Sequence, residues 1–382
     1  MKPTRTNNST PFVDVLAVSL ELASGSWKIA FQDGKHENPA IKTVNAGEPA
    51  ARLQQVVGEI GGIRTKWNLP ENVRVVVLYE AGQDGFWIAR GLMQCGVEAL
   101  ICDPASLLVN RHARQAKTDR LDAIRLVNSL RSWLQGERDR MRVIRIPSVE
   151  DEAQRHQSRD RGELQKETMQ HTDRIRKLLR TVGCWDKVDR HFAQRLNEGQ
   201  VRCFDGSELP GELKQRLLQE CERLALAQRQ FDRIDREFGK KLPESARGRV
   251  TKLLRLRAVG QVGAARLALE LFWRRFKDRR EVGACVGLVP QPFDSGNSHS
   301  DQGISKQGNR RVRSLLIEIA WFWLRYQPGS AISRWYAHRI GDGKSKRNKR
   351  IAIVAVARRL AIALWRYVEH DVIPDGAVLK KR

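Results

Sequence analysis

Hydrophobic and polar positions in the first 140 residues form alternating strand-like and helix-like patterns. The runs "FVDVLAVSL" and "SWKIAF" are β-branched or aromatic and are separated by a glycine-containing turn, which predicts a β-hairpin. A helical stretch near 48–67 precedes "VRVVVLYEAG", an apolar run typical of a buried strand, and a helix around 85–94 precedes the strand "EALICD". We therefore expect an α/β domain over residues 1–145.

Two long amphipathic patterns predict a helical region over residues 146–245. Between about 149 and 183 the apolar positions form one stripe, made by Leu164, Met169, Ile175, Leu179 and Val182. After "ELPGE" apolar residues recur at steps of roughly 3.5, namely Leu213, Leu217, Cys221, Leu224, Phe231, Ile234 and Phe238. These patterns fit either a helical hairpin within the chain or an intermolecular coiled coil.

The third region, residues 246–382, opens with "LLRLRAVGQVGAARLALEL", in which two short apolar helices flank Gly260 and Gly263. Glycines at such a joint allow a tight turn whose N–H groups can contact a phosphate at the start of the next helix. The segment fits a helix-hairpin-helix that binds a nucleic-acid backbone. It fits a plain corner between two helices equally well.

The charge of the chain indicates a polyanionic partner. The formal net charge is +25, from 69 Lys and Arg against 44 Asp and Glu, and residues 303–382 hold 18 of the basic residues with only 5 acidic ones. A solubilising or membrane-binding surface would also be basic, but Trp335, Tyr336 and Trp365 are interleaved with these charges, as in surfaces that bind nucleic acid. We therefore expect DNA or RNA as the partner.

Cysteines and targeting signals add little to this interpretation. The six cysteines are scattered and show no zinc-site spacing, which is typical of reduced thiols in the cytosol. No apolar signal core occurs near the N-terminus, and no run approaches the roughly 20 apolar residues of a membrane span. We expect a soluble cytoplasmic protein with no membrane contact.

Three acidic residues are candidate metal ligands. Asp119 and Asp122 lie three positions apart on one predicted helix face, with Lys117 close by, so a salt-bridged surface helix is one interpretation. Glu80 ends a buried strand, where side chains project into the crevice in which ligands bind. Together the three could hold Mg²⁺ against a phosphate, because Mg²⁺ prefers hard oxygen ligands.

The first strand offers a fourth ligand only indirectly. Ser19 stands where a further aspartate would be expected, and Glu21 points to the same face because side chains alternate along a strand. We therefore expect Glu21 to reach the metal in place of the missing aspartate. The alternative is a surface Glu21 and an incomplete site.

A second candidate centre is Ser295, in a loop between Asp294 and Gly296. The loop leads into a helix that would grip a phosphate at its cationic start, with Lys306, Asn309, Arg310, Arg311 and Arg313 as the candidate nucleic-acid contacts. A serine hydroxyl is a nucleophile only when it is activated. The local sequence alone makes Ser298, Ser300 and Ser305 equally eligible.

The ordered set of motifs resembles the insertion-sequence transposases of the DEDD-plus-serine type, which are bridge-RNA-guided recombinases related to the Piv and MooV DNA invertases. The matching segments lie in the family order over nearly the whole chain: "LYEAGQDGFWIARGL", "RQAKTDRLDAIRL", "LRAVGQVGAARLALEL", "ACVGLVP", "DSG", "ISKQGNRRVR" and "KSKRNKRIAIVAVARRLAIALWRYV". Each piece is unspecific alone, but the ordered set is specific.

This resemblance implies a ribonuclease H-like N-terminal domain similar to Holliday-junction resolvases, a coiled-coil middle and a mostly helical C-terminal transposase domain. It implies catalysis by Glu80, Asp119, Asp122 and Ser295, with Mg²⁺ as cofactor and the serine forming a covalent link to DNA. Donor and target DNA, a structured guide RNA and a homo-oligomer, either dimer or tetramer, are the implied partners. The family's first Asp falls at Ser19.

Two other functions remain open from the sequence. A metal-dependent junction endonuclease would keep the fold and use Ser295 only structurally. An inactive element copy would bind nucleic acid without cutting it, which the serine at position 19 leaves open.

Overall fold

The computed structural model describes residues 15–45, 47–107, 118–295, 298–341 and 345–380. The chain divides into two compact units, Met1–Pro147 and Ser148–Arg382. Across the described residues, the helices are all too short or too polar to cross a membrane.

The first unit is built on a mixed six-stranded sheet, which confirms the expected α/β class. Its strands are β1 (Val15–Leu22), β2 (Trp27–Gln32), β3 (Ala40–Val44), β4 (Arg74–Glu80), β5 (Glu98–Cys102) and β6 (Val143–Ile144). The order across the sheet is β3-β2-β1-β4-β5-β6. The first three strands form an antiparallel meander, which contains the predicted hairpin, and β4 and β5 continue the sheet parallel to β1.

Helices cover both faces of this sheet because residues along the strands alternate between two apolar cores. One face, with Val18 and Leu20, packs against α1 (Pro49–Lys66) and α2 (Trp87–Gln94). The other face, with Ala17 and Val76, packs against α3 (Asp119–Leu134). Both predicted helices of this region are therefore present, and α3 alone covers the second face among the described helices.

Two contacts fix the direction in which α3 crosses the sheet. Near its start, the buried Ser19 Oγ on β1 donates a hydrogen bond to the Ala123 carbonyl, at 2.7 Å. Near its end, Arg131 Nη1 donates to Gln32 Oε1 at 3.5 Å, and Gln32 pairs with Ala17 close to the beginning of β1. The helix therefore runs antiparallel to β1, and its first turn lies at the edge where β1, β4 and β5 end.

The second unit is mainly helical. Its elements are α4 (Val149–Arg180), α5 (Phe192–Asn197), α6 (Gly211–Glu237), α7 (Glu244–Leu254), α8 (Gln261–Glu270), α9 (Arg279–Cys285), β7 (Pro290–Ser295), β8 (Ser298–Ile304), α10 (Arg310–Tyr326), α11 (Ala331–Ile340) and α12 (Lys346–His370). Helices α7, α8, α10 and α12 share one core, and β7 and β8 form an antiparallel hairpin.

Helices α4 and α6 form an antiparallel hairpin within the chain. Arg161 Nε donates to Asp235 Oδ1 at 2.7 Å, and His171, ten positions further along α4, lies 2.8 Å from Glu220 Oε2, which is earlier on α6. The order of these pairs shows that the two helices run in opposite directions. Of the two predicted arrangements, the structure contains the helical hairpin within the chain. A coiled coil between chains stays a prediction, and so does the division into three domains.

Glu220 is a buried carboxylate at the centre of this hairpin, with 2% of its side chain exposed. Arg174 Nη1 and Arg223 Nη1 donate to Oε1 at 3.0 and 2.7 Å, and His171 contacts Oε2. Burial alone would raise the pKa of Glu220, but the hydrogen bonds from His171, Arg174 and Arg223 outweigh it and lower the pKa to about 2. The ionised form therefore stabilises the folded hairpin.

Replacing this carboxylate should destabilise the protein in a pH-dependent way. We expect Glu220→Gln to lower the free energy of unfolding by about 2 kcal/mol at pH 7, since hydrogen bonds to a charged group contribute roughly 1.5–3 kcal/mol and both arginines are partly exposed to solvent. The folded-state pKa is depressed, so this contribution is complete above the ordinary value of 4.5 and is lost as the pH falls towards about 2. Urea denaturation followed by circular dichroism measures it.

The matched control is Glu222→Gln, on the exposed side of the same helix. It should change the free energy of unfolding by less than about 0.5 kcal/mol. An equal loss in both variants, or a loss in Glu220→Gln that persists unchanged at pH 2–3, would show that Glu220 does not act as an ionised partner.

Candidate functional site

Two acidic side chains lie on the α3 side of the sheet where the parallel strands end. Glu80 is the last residue of β4 and shares its face with Val76 and Leu78, which pack in the α3 core. Glu21, near the end of β1, shares its face with Ser19, as the alternation predicts. Both side chains are half-buried. The sheet therefore brings Glu21 and Glu80 to one edge.

The first turn of α3 brings two further acids to this edge. Asp119 is exposed, and among the described residues it makes no ion pair. Asp122 is half-buried, and Arg125 Nη1 lies 3.4 Å from its Oδ1, so this aspartate does have the salt bridge that the alternative interpretation expected. Both acids suit a helix start, where the helix dipole favours negative charge. Lys117, also a candidate, lies outside the described residues.

A further acid at the same edge, Asp103, was not predicted from the sequence. It directly follows β5, and its side chain is only 14% exposed, with Oδ2 4.0 Å from Arg142 Nη1. The pKa of the neighbouring Cys102 thiol is raised first by burial, and then by the negative charges of Glu80, Asp103 and Glu21. One buried sulfur therefore experiences the charge of all three carboxylates. The sequence pattern that could have identified Asp103 is an acid at the carboxyl end of a buried strand, the pattern that also marks Glu80.

These acids fit a divalent ion by the chemistry of their donor atoms. Mg²⁺ prefers carboxylate oxygens, and it is commonly held by only one or two carboxylates together with substrate phosphates. Within the described ranges, no group of three or more His, Cys, Asp or Glu side chains is close enough together to hold a metal ion. The acids thus share an edge of the sheet without forming a complete protein cage.

Ser19 has a structural contact of its own. Its side chain is fully buried and its hydroxyl donates to the Ala123 carbonyl on α3. An ionised aspartate at this position could not donate that hydrogen bond. The serine therefore ties α3 to β1, and Glu21 is the next acid on the same face.

Ser295 is the last residue of β7, where the sequence analysis placed it in a loop. Its backbone pairs with Ser298 at the start of β8, while Pro290 and Ile304 pair at the other end of the hairpin. Ser295 is therefore at the turn end of a two-stranded hairpin. The sequence analysis predicted a loop because "DSG" is a typical turn signal. In the structure, Asp294 and Ser295 still pair with β8, so the strand continues into that motif.

The segment that links this hairpin to α10 is held tightly against α9. Lys306 has a left-handed backbone, with φ 56°, and Gly308 has φ 94°. A side chain at Gly308 would overlap the Cys285 carbonyl, so only glycine fits there. The Asn309 side chain accepts hydrogen bonds from two N–H groups at the start of α10, and its Nδ2 donates to the Glu270 carbonyl at 3.4 Å. Asn309 thus caps a helix.

The three candidate arginines of α10 differ in their contacts. Arg311 Nη2 lies 2.9 Å from Glu163 Oε1, and Arg313 Nη1 donates to the Val286 carbonyl at 3.0 Å. Burial, followed by the charge of Arg310, lowers the pKa of Arg313. In the described part of the chain, Arg310 and Lys306 make no ion pair and are exposed. These two side chains are the most available for a phosphate.

The two candidate glycines also have different surroundings. Gly260 is the exposed N-cap residue of α8, and as a glycine it has no side chain with which to cap that helix start. Gly263 lies inside α8, where an added Cβ would be 3.5 Å from Ile319 on α10, so it favours close packing of two helices. Gly260 can therefore present N–H groups to a phosphate. The helix-hairpin-helix and the plain corner share this geometry, and the choice between them stays a prediction.

Comparisons with known proteins agree on one family. The model of the "Transposase IS116/IS110/IS902 family" matches residues 250–335, which include Gly260, Ser295 and the start of α10. The chain is 36% identical over 378 residues to the transposase y4rJ of Sinorhizobium fredii, covering 95% of this chain and 94% of that protein. It is 24% identical to the transposase for insertion sequence element IS1328 of Yersinia enterocolitica, covering 80% of this chain and 86% of that protein.

The full-length similarity confirms the resemblance to insertion-sequence transposases that the motifs indicated. The order of those motifs, the mixed sheet of the first unit and the helical second unit agree with it. The chain belongs to the IS116/IS110/IS902 family of transposases.

Proposed function

We propose that this transposase cuts and rejoins DNA with an acidic divalent-metal centre and a serine nucleophile, guided by a structured bridge RNA. The observation that carries the acidic part is the hydrogen bond from Ser19 to the Ala123 carbonyl, which fixes the start of α3 at the edge where β4 ends. The elements that meet at this edge are β1, β4 and α3, which carry Glu21, Glu80, Asp119 and Asp122. A transposase acts on DNA, which agrees with the net charge of +25.

In this proposal Glu80, Asp119 and Asp122 hold Mg²⁺, and Glu21 substitutes for the aspartate that the family has at position 19. The bound ion would polarise the scissile phosphate and stabilise its charge. Asp122 would have to give up its 3.4 Å contact with Arg125 Nη1 in order to hold the ion through Oδ1.

Ser295 is the proposed nucleophile. Its Oγ attacks the DNA phosphorus and loses its proton, a bond from phosphorus to Oγ forms, and the bond from phosphorus to a deoxyribose oxygen breaks. The released deoxyribose oxygen takes up a proton. The serine ester keeps the energy of the phosphodiester bond, so the strand can be resealed without ATP. Lys306 and Arg310 are the side chains proposed to hold the phosphate.

The remaining parts of the proposal concern architecture. An antiparallel meander continued by two parallel strands supports a ribonuclease H-like first domain. We further propose a helix-hairpin-helix at Gly260, a homo-oligomer joined by a coiled coil, and action on DNA in the bacterial nucleoid.

Neutralising one proposed metal ligand should abolish cleavage. We expect Asp119→Asn to slow Mg²⁺-dependent strand cleavage by about a hundredfold or more, because a bound ion contributes several kcal/mol to the transition state. Glu21→Gln should also slow it if Glu21 is the fourth ligand. Gel analysis of an end-labelled donor DNA, with the guide RNA added, measures the rate.

Asp139→Asn is the matched control, because Asp139 is exposed in the same unit and follows α3. It should cleave at the unmodified rate. Wild-type cleavage by Glu21→Gln alongside an inactive Asp119→Asn would remove Glu21 from the site. Absence of Mg²⁺-dependent cleavage in the unmodified protein would instead indicate an inactive copy.

The serine step predicts a covalent protein–DNA adduct. We expect denaturing gels of the quenched reaction to show labelled DNA attached to the protein, and we expect Ser295→Ala to abolish that band. Ser298→Ala, Ser300→Ala and Ser305→Ala are matched controls from the same segment, and each should retain the adduct.

Retention of the adduct in Ser295→Ala, with loss in one of the three controls, would transfer the role to that serine. Cleavage without an adduct in any of the proteins would identify a metal-dependent endonuclease instead of a serine recombinase.

A further inference from the structure

A large groove in the second unit is lined by basic side chains. Its volume is about 1470 Å³, and it lies between α12, α11, the start of α9, the end of β8 and residues 372–375. We call it the arginine groove. Helix α12 contributes Arg347, Arg350, Arg358, Arg359 and Arg366 to its lining.

The positive charge of the arginine groove is not balanced within the described residues. Arg279, Arg280 and Lys306 add to the five arginines of α12, and in the part of the chain that the structure describes none of these side chains forms an ion pair. Asp375 is the one carboxylate among the lining residues, and it already lies 3.9 Å from Arg334 outside the groove. A concentration of cations of this kind attracts a polyanion.

One of these arginines has a buried donor without a partner. The Nε of Arg358 is inaccessible to solvent and has no hydrogen-bond partner among the described residues. A buried donor left unpaired is costly, and this nitrogen is too enclosed for a ligand in the groove to reach. A phosphate would instead meet the terminal guanidinium nitrogens of Arg358, which are not among the enclosed atoms.

Exposed apolar and aromatic groups share the groove with the arginines. Ile351, Val372 and Ile373 are 56%, 52% and 47% exposed, and all three line the same groove. The guanidinium of Arg359 lies 4.1 Å from the centre of the Trp335 ring. Aromatic rings and arginine planes are surfaces on which unpaired bases stack. The groove thus combines phosphate contacts with a surface for bases.

Size and chemistry distinguish the occupant. Small-molecule pockets measure roughly 300–1,000 Å³, so the arginine groove is large for a metabolite. A duplex keeps its bases stacked inside and could not reach the apolar lining, whereas a single strand could. The arginines can donate to a 2′-hydroxyl as well as to a phosphate, so the choice of DNA over RNA rests on the DNA substrate of the proposed function.

We propose that the arginine groove binds a single strand of DNA, with its phosphates on the α12 arginines and a base stacked on the Arg359–Trp335 pair. Pro290 and Ile304 line the groove and pair at the base of the hairpin that carries Ser295 at its turn end. A strand that leaves the groove on the side of Pro290 and Ile304 would pass the hairpin. The inference rests on DNA as the substrate of the proposed function, but on none of its chemical steps.

Fluorescence anisotropy of labelled oligodeoxyuridine with the full chain tests the proposal, in EDTA so that metal-dependent cleavage does not contribute. The oligomer should exceed the roughly 4–16 nucleotides of a single-strand site. The triple variant Arg350→Ala, Arg359→Ala and Arg366→Ala removes exposed side chains only. We expect the affinity to fall by at least about tenfold. The slope of log affinity against log salt concentration should become shallower by about 2, because each lost phosphate contact on a single strand contributes about 0.7 to that slope.

The control triple variant is Arg216→Ala, Arg229→Ala and Arg233→Ala, which removes the same charge from exposed positions of α6. It should lose less than threefold. Trp335→Ala should weaken binding by roughly 5- to 150-fold, the effect of losing one stacked base. Because Trp335 is half-buried, circular dichroism must show that this variant is folded, and the arginine triple variant tests the groove independently of it.

Equal losses in the two triple variants would mean that the groove acts only through net charge, and would overturn the proposal. Tighter groove-dependent binding of oligouridine, which differs only by its 2′-hydroxyl groups, would overturn the assignment to DNA. Stronger groove-dependent binding of polyglutamate would indicate an acidic protein partner instead. Failure of the serine or metal chemistry leaves this measurement unaffected, since EDTA excludes both cleavage and metal binding.

Discussion

The packing of α3 across the sheet is the constraint on which the candidate acidic site depends. Apolar residues of α3 fill one face of the sheet, and the Ser19 hydroxyl holds the Ala123 carbonyl at 2.7 Å. Because the helix runs antiparallel to β1, its first turn can lie only at the edge where the parallel strands end. Asp119 and Asp122 therefore share an edge with Glu80 and Glu21, although they are far apart in sequence.

The second unit uses its positive charge in two different ways. Some of the basic side chains form ion pairs within the unit, as in the hairpin around Glu220 and in the contact of Arg311 with Glu163. Among the described residues, other basic side chains have no ion pair, and eight of these line the arginine groove. The paired arginines connect neighbouring elements of the unit, whereas the uncompensated arginines are available to nucleic acid. The net charge of the chain does not show which arginines are paired and which are available to a partner.

Local patterns predicted the elements better than they predicted side-chain roles. Apolar runs identified β1, β2, β4 and β5 but not β3, and the helical periodicity identified α4 and α6, because burial imposes those periods on the sequence. The strand position of Ser295 depends on pairing with β8 and leaves no local signal. The capping role of Asn309 is local, because asparagine directly before a helix is an N-cap signal, and the sequence analysis assigned it to a phosphate instead. The arginine groove combines residues from 279 to 375, so no sequence window contains it. Asp103 could have been predicted, since it lies at the carboxyl end of a buried strand, as Glu80 does.

Metal binding by the edge of the sheet is the most direct test of this account. Electron paramagnetic resonance can follow the loss of the free Mn²⁺ signal as the full chain is titrated in the presence of donor DNA, whose phosphates complete the coordination. The account predicts that Glu80→Gln weakens Mn²⁺ binding by at least about tenfold, while Glu71→Gln, an exposed control in the same unit, binds as the unmodified protein does. Unchanged Mn²⁺ binding by Glu80→Gln would contradict it.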